Sequence, residues 1–401
     1  MRFLHFLCVL LLLSFAGCEG RNSTPVPEPA VAAEADEFEQ EYLAAKANAS
    51  RIAALFDDSQ LAAQVIITGI DGRGGLSQAM ISLLEECPAG GIMLFKYNLD
   101  ADNGDVRNLI AGAADLISAG TAVSAAPLVA VDHEGGGVNR FRPGVASLPS
   151  AASYWEMAQD KGRETAIAQI YIDSMSAGKI INDLGINFNF APVAEYLHAD
   201  NREFLEDRSY GPDPAFAAKA SAAFVMGMAQ AGIICAVKHF PGSSGPDPHI
   251  FPSSLQVSRE KLNELTAPFF ALVRDGHARA VMIAHTAVSA WDSENIASLS
   301  PEVMGGWLRQ EIGFNGIIVC DDFSMAASEL RGNSRPETAA VQAIAAGADM
   351  VLVWPPDLRR THRELQAALG DGRLSRERLL DSVERIIIEK LRLGLVEDRS
   401  F

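Results

Sequence analysis

Carboxylates, imidazoles and an ammonium group recur in this chain at one kind of place, the end of a short apolar run. LVAVD closes on Asp132 and is followed by His133 and Glu134; INFNF leads from Asn189 to Glu195; ICAVKH carries Lys238 and His239; AVMIAH ends on His285; GIIVC runs into Asp321 and Asp322. Loops that only meet solvent are expected to hold Gly, Ser and Asn with scattered charges, not several His, Lys and Asp drawn from separate runs. The set suits acid–base and nucleophilic chemistry. A carboxylate attacks or steadies positive charge, an imidazole with an unperturbed pKa of ~6.5 passes a proton near neutrality, and fixed cations donate hydrogen bonds to a polar substrate. Asp is also a favoured helix cap, and Asp321-Asp322 precede the helical pattern SMAASEL, so a cap at Asp322 or Ser324 accounts for part of this cluster. His285 reads equally as a substrate contact, a support for Asp321 or a satisfied core histidine. Lys238, His239, His285 and Asp321 are also residue types of a metal-dependent barrel hydrolase. Such a site normally begins with a His-x-His pair after the first strand, where this chain reads VIITGIDGRG, so neither metal nor cofactor is expected.

Elements must bring these residues together. Eight near-continuous apolar runs fall at 64–69, 91–95, 128–132, 186–190, 234–239, 280–285, 316–320 and 350–354. Runs of that kind are expected of parallel strands buried on both faces. Helical spacing separates most of them, as over 215–232 and 301–312. The alternation predicts an α/β fold, a single-domain TIM-type (β/α)8 barrel, in which strand C-termini converge on one functional face. A doubly wound open sheet shares the alternation. The segment 374–393 predicts an amphipathic helix packed on the barrel exterior.

Several longer motifs carry a resemblance: VDHEGGGVNRFRPGVASLPSA (131–151), LGINFNFAPVAEY (184–196), EDRSYGPDP (206–214), VKHFPG (237–242), SLSPEVMGGWLRQEIGFNGIIVCDDFSM (298–325) and AGADMVLV (346–353). In this order they resemble glycoside hydrolase family 3, most closely its bacterial β-N-acetylhexosaminidase branch. The resemblance implies a TIM barrel, no metal, and retaining, exo-acting release of terminal N-acetylglucosamine, with peptidoglycan fragments as the usual substrates of that branch. It implies that Asp321 is the nucleophile and that His249, oriented by Asp247, is the acid/base on a loop after KHFPG. It also implies that Asp132, Arg140, Arg208, Lys238 and His239, with His285 beside them, form the sugar subsite. A histidine acid avoids a second anion beside the attacking aspartate. The chain departs from the family pattern at Ser243, where a histidine is usual, at Pro248 between the dyad residues, at Gly137 and at Glu195, and its loop is shorter. Those departures motivate a rival reading, a lipoprotein that binds cell-wall sugar without cleaving it. A family 3 β-glucosidase or β-xylosidase is the other alternative; the internal Asp-x-His loop favours the hexosaminidase.

Composition limits the rest. With 48% hydrophobic and 21% charged residues over 401 positions, the chain is neither collagenous, coiled-coil nor wholly disordered. A formal net charge of −18 repels phosphate backbones, so nucleic acid is excluded as a partner. Arg2 followed by the apolar stretch 3–15 and the small residues Ala16-Gly17 before Cys18 read as a lipoprotein signal peptide over 1–17, with Cys18 as the lipidated residue. An ordinary secretory signal or an uncleaved anchor shares those features, and all three place the remainder outside the cytoplasm. The Pro-, Ala- and Glu-rich stretch that follows reads as a flexible tether over 18–48, carrying a catalytic barrel over 49–401. The expected partners are a carbohydrate substrate and a membrane, reached through the anchor. Cys87, Cys235 and Cys320 match no zinc spacing.

Overall fold

The computed structural model describes residues 43–245, 247–248, 250–323 and 335–396. Two units divide the chain. In the first, residues 1–47, the described part (43–47) is helical. The second starts at Asn48 and holds a closed barrel of eight parallel strands. In chain order these are β1 (Ile66–Gly69), β2 (Gly91–Leu94), β3 (Leu128–Val131), β4 (Phe188–Asn189), β5 (Ile234–Phe240), β6 (Ala280–Ile283), β7 (Ile317–Cys320) and β8 (Met350–Val353). Each strand pairs with its sequence neighbours, and β1 pairs with β8 to close the cylinder. The barrel, not the open sheet, is the outcome. Its strands are buried along their whole length, which is why each reads as an unbroken apolar run.

Between strands the chain returns through helices such as Arg163–Asp183 and Pro214–Gln230, the latter capped by Asp213 and started by Pro214. The segment predicted as an ordinary helix over 301–312 is a π-helix, Glu302–Glu311, whose wider turns bury Trp307 against Trp291 with ring centroids 4.9 Å apart. The tail forms the helix Arg376–Arg392, burying Leu379, Val383, Ile386 and Ile387. Its Arg378 and Arg385, together with Arg309, surround the buried Asp349 at the start of β8. Polar residues at this N-terminal end of the barrel serve stability. No described helix is long and apolar enough to cross a membrane.

Candidate active site

Register carries the reactive residues to the opposite end. Leu94 lies beside Val131, Val131 beside Asn189 and Ile283 beside Cys320, so Asp132, the β4–β5 residues and Asp321 all follow strand C-termini at one mouth. The Asp132 loop turns back at Gly135 and Gly136, with φ of 97° and 55°. A Cβ on Gly135 would lie 2.2 Å from the Pro149 carbonyl oxygen, so only glycine fits there. Asn189 clamps this loop from β4: its Oδ1 accepts the His133 amide and its Nδ2 donates to the His133 carbonyl, both at 3.0 Å.

Lys238 sits at the centre. Its Nζ lies 2.8 Å from Asp132 Oδ1 and 2.7 Å from Glu134 Oε1, while Arg140 approaches Asp132 at 3.7 Å. Arg208 grips Glu134 with two hydrogen bonds, 2.8 and 2.9 Å, the bidentate geometry that a guanidinium favours. Burial alone would raise the Glu134 pKa, but Lys238 and Arg208 outweigh it and hold the carboxyl well below the usual range. Burial likewise opposes the charge on Lys238, and Asp132 and Glu134 overcome it, so the ammonium is held above its ordinary value. The result is a buried, permanently ionised floor with fixed donors and acceptors.

His239, next along β5, donates from Nδ1 to Glu195 Oε1 at 2.7 Å. The other Glu195 oxygen accepts both the amide and the hydroxyl of Ser243, each at 2.6 Å. Burial would raise the Glu195 pKa; the His239 and Ser243 hydrogen bonds reverse that and keep it ionised. The two departures Glu195 and Ser243 are therefore in contact, and one carboxylate ties the His239 ring to the first turn of the following loop.

Asp321 follows β7 directly, and its Oδ1 accepts the Asp322 amide at 2.9 Å. Burial pushes its pKa up, but His285, His239, the Asp322 amide and Lys238 outweigh that and favour the carboxylate. His285 is buried with both nitrogens engaged, Nδ1 by the Ser298 hydroxyl at 2.7 Å and Nε2 by the Asp322 carbonyl at 3.0 Å. Burial lowers its pKa against the opposing pull of Asp321. An imidazole locked through both nitrogens thus buttresses the backbone beside Asp321. Asp322 turns its carboxylate to the indole N–H of Trp354.

Residues 59–388 match the glycosyl hydrolase family 3 N-terminal domain. The chain belongs to that family. A β-hexosaminidase of Methylococcus capsulatus is 33% identical over 317 residues, 74% of this chain and 89% of that one. Among solved structures, a glycoside hydrolase family 3 β-N-acetylglucosaminidase from a Paenibacillus species superposes with a TM-score of 0.76 at 32% identity, covering 84% of this chain and 62% of that protein. A family 3 glycosyl hydrolase of Mycobacterium smegmatis gives 0.71 at 28% identity, covering 86% and 98%.

In this family 3 chain the loop after β5 is tied down at its base. The Gly245 amide donates to the Asp200 carbonyl at 2.7 Å, the Ser244 amide to Ser253 Oγ at 3.3 Å, and a short parallel pairing joins Ser253–Ser254 to Thr286–Ala287. Beyond the base, the Asp247 carbonyl accepts the amides of Ile250 and Phe251 at 3.0 and 2.9 Å, closing one tight turn. His249 lies outside the described residues, as do Pro246, Ser324 and the N-terminal stretch with Cys18. The structure brings Asp132, Arg140, Arg208, Lys238, His239, His285 and Asp321 to one mouth. Glu134, Glu195 and Ser243 complete the cluster as ion-pair and hydrogen-bond partners that sequence reasoning did not assign. Glu134 lies two residues past Asp132, and its sole signal was that spacing. Among the described residues no group of three or more His, Cys, Asp or Glu is placed to hold a metal ion.

His133, behind Asp132, has a consequence for stability. It is fully buried, packs edge-on to Phe141 at 5.1 Å, and its Nε2 donates to the Ala146 carbonyl at 2.7 Å. Burial lowers its pKa to about 4 against the opposing pull of Ala146 and Glu134. An unfolded histidine titrates near ~6.5. The folded state is therefore favoured above that pH and loses this contribution, about 3 kcal/mol, as pH falls through 4. Melting temperature should drop between pH 7 and pH 5, and His133→Leu should flatten that slope in thermal scans at matched ionic strength. An equal slope in the variant would refute the assignment.

Proposed function

We propose that the protein is a retaining, exo-acting β-N-acetylhexosaminidase that releases terminal N-acetylglucosamine, with peptidoglycan fragments as its substrate class. The observation that carries this reading is the ionised Asp321 at the end of β7, opening on the same mouth as the Asp132–Lys238–Glu134–Arg208 cluster. The names of the Methylococcus and Paenibacillus relatives support it. In this reading the terminal sugar's hydroxyls meet Asp132, Lys238, Arg140, Arg208 and His239. Asp321 attacks the anomeric carbon while His249, oriented by Asp247, protonates the departing oxygen. A glycosyl–Asp321 ester forms and the aglycone leaves as an alcohol. The now neutral His249 takes a proton from water, the hydroxide displaces Asp321 at the same carbon, and the configuration is retained. Because Asp132 and Glu134 are already neutralised by Lys238, Arg208 and Arg140, no metal is needed to hold the floor together. Export and a lipid anchor at Cys18 would place the barrel on a membrane face with access to cell-wall fragments.

The test compares aryl β-N-acetylglucosaminide, β-glucoside and β-xyloside hydrolysis by the full chain. The N-acetylglucosaminide should be preferred by at least ~10²-fold, since a site built for specific hydrogen bonds rejects analogues that lack them. EDTA should leave the rate unchanged. His249→Ala should lower kcat/KM by about 10²–10⁴-fold, the range of a lost general acid. Binding without turnover in the unmutated protein would favour the sugar-binding reading. For the anchor, Cys18→Ala should abolish metabolic palmitate labelling and release the protein from the membrane fraction.

A further inference from the structure

Around the mouth, β8, β1 and β2 end at or lead directly into Trp354, Gly69 and Phe95. Thr68 pairs with Val353 and Gly69 with Met93, so these three termini are adjacent. Phe95 stacks on Trp354 with ring centroids 4.7 Å apart and planes 14° from parallel, and on Tyr97 at 5.8 Å and 13°. The row crosses β1 where that strand ends in glycine. A Cβ on Gly69 would stand 3.0 Å from Phe95 Cε2 and 3.4 Å from Pro355 Cδ, in the space where the rings from β2 and β8 meet.

Polar partners fix the row. The Tyr97 hydroxyl donates to the Ile70 carbonyl at 2.8 Å, and Asn98 accepts the Phe95 amide at 3.0 Å while donating to the carbonyls of Ile70 and Gly72. The Trp354 indole N–H donates to Asp322, the neighbour of the proposed nucleophile. Phe95 is half-buried; Trp354 and Tyr97 keep 36% and 41% of their surface exposed. By contrast Lys238 is 3% and His239 7% exposed. The mouth therefore has a deep polar floor and a shallower aromatic rim. Single exposed aromatics need no explanation, but a stacked, hydrogen-bonded row beside a reactive carboxylate presents a pre-ordered apolar surface at a defined place.

We infer that the Tyr97–Phe95–Trp354 row is the leaving-group subsite and that its ligand is the pyranose ring of the second sugar. This rests on the glycosidase reading. In an exo-acting enzyme the terminal sugar fills the buried floor, and the next ring stands at the rim, at the depth of Trp354. One face of a pyranose is a patch of C–H bonds with slight positive charge, which matches the negative face of an indole or phenol and buries apolar area on both partners. The row selects substrates with a ring on the leaving side over those with a small alkyl group.

The test is a selectivity ratio: kcat/KM for the β-1,4 disaccharide of N-acetylglucosamine divided by that for methyl β-N-acetylglucosaminide, which carries no second ring. Trp354→Ala should lower this ratio about tenfold, the equivalent of one good aromatic stack. Trp354→Phe, which keeps a stacking face but loses the bond to Asp322, should retain the ratio within about threefold. Tyr97→Ala should lower it less than Trp354→Ala. If Trp354→Ala slows both substrates by the same factor, the row only supports Asp322 and the inference is wrong. Binding of the thio-linked, uncleavable disaccharide, followed by calorimetry, separates the two ideas. If the unmutated protein turns over neither substrate, the glycosidase reading fails. The subsite is then judged by whether Trp354→Ala weakens the thio-disaccharide more than N-acetylglucosamine, and equal weakening overturns it.

Discussion

Asp321→Asn should reduce kcat/KM on an aryl β-N-acetylglucosaminide by about 10⁴–10⁶-fold, the upper end being the scale of a lost catalytic nucleophile. The expectation follows from charge and position. An amide is close to the carboxylate in shape and can still accept the Asp322 amide hydrogen bond at Oδ1, so the strand end should keep its geometry. What it loses is the anion that attacks the anomeric carbon and balances the cationic transition state. Ground-state binding should change little, because the sugar hydroxyls are assigned to Asp132, Lys238 and their partners; the loss should fall on kcat with KM within a few-fold. Thermal stability should fall somewhat, since the groups around Asp321 outweigh burial and favour its carboxylate, which the amide no longer supplies. Two measurements check this. Steady-state kinetics should show the split, and mass spectrometry of an adduct trapped with a slow fluorinated substrate should place the label on Asp321. Residual activity above one part in about a hundred, or a label on another residue, would remove Asp321 from the mechanism.

The barrel was legible because its strands are buried on both faces. Each of the eight runs became a strand, and the chemistry-bearing residues stood out because they interrupt apolar sequence just where register ends. Boundaries were less legible. The run 186–190 contributes only Phe188–Asn189 to the ladder, and β5 extends to Phe240, since pairing depends on neighbours that periodicity does not record. The π-helix at Glu302–Glu311 was invisible for a related reason: its apolar spacing fits an ordinary helix, and the wider turn shows only in backbone bonds such as the Ile312 amide to the Trp307 carbonyl, five residues back, at 2.9 Å. Within the site, Asp132, Lys238 and Asp321 each advertised themselves singly. The partnerships Glu134–Arg208, Glu195–Ser243 and Phe95–Trp354 join residues far apart in the chain, and each residue alone reads as a loop charge or a strand end. Family departures at Glu195 and Ser243 looked like two separate anomalies; in three dimensions they form one hydrogen-bonded unit.

Lys238→Met is expected to be the most damaging single change to stability at the site. The ammonium bridges Asp132 at 2.8 Å and Glu134 at 2.7 Å. Methionine fills a similar volume but leaves two carboxylates facing an apolar side chain. Glu134 retains its bidentate Arg208, whereas Asp132 falls back on Arg140 at 3.7 Å. Removing one partner of a buried ion pair typically costs about 3–5 kcal/mol. For a domain of this size that is a fall in melting temperature of roughly 4–7 °C. The pH dependence fixes the cause. Lys238 holds Glu134 below the ordinary carboxylate pKa, so its stabilisation is present above that value and disappears as pH falls through the lowered one. Without the ammonium, Glu134 protonates more readily, and the melting-temperature gap between parent and variant should stay wide from pH 7.5 to about 4.5 and narrow only below that, towards the lowered value. Asp132→Asn combined with Lys238→Met should recover part of the loss by removing the carboxylate left without a close cation, while hydrolysis stays at least ~10²-fold down because fixed donors to the sugar are gone. A gap independent of pH, with no recovery in the double variant, would mean that Lys238 acts through packing alone.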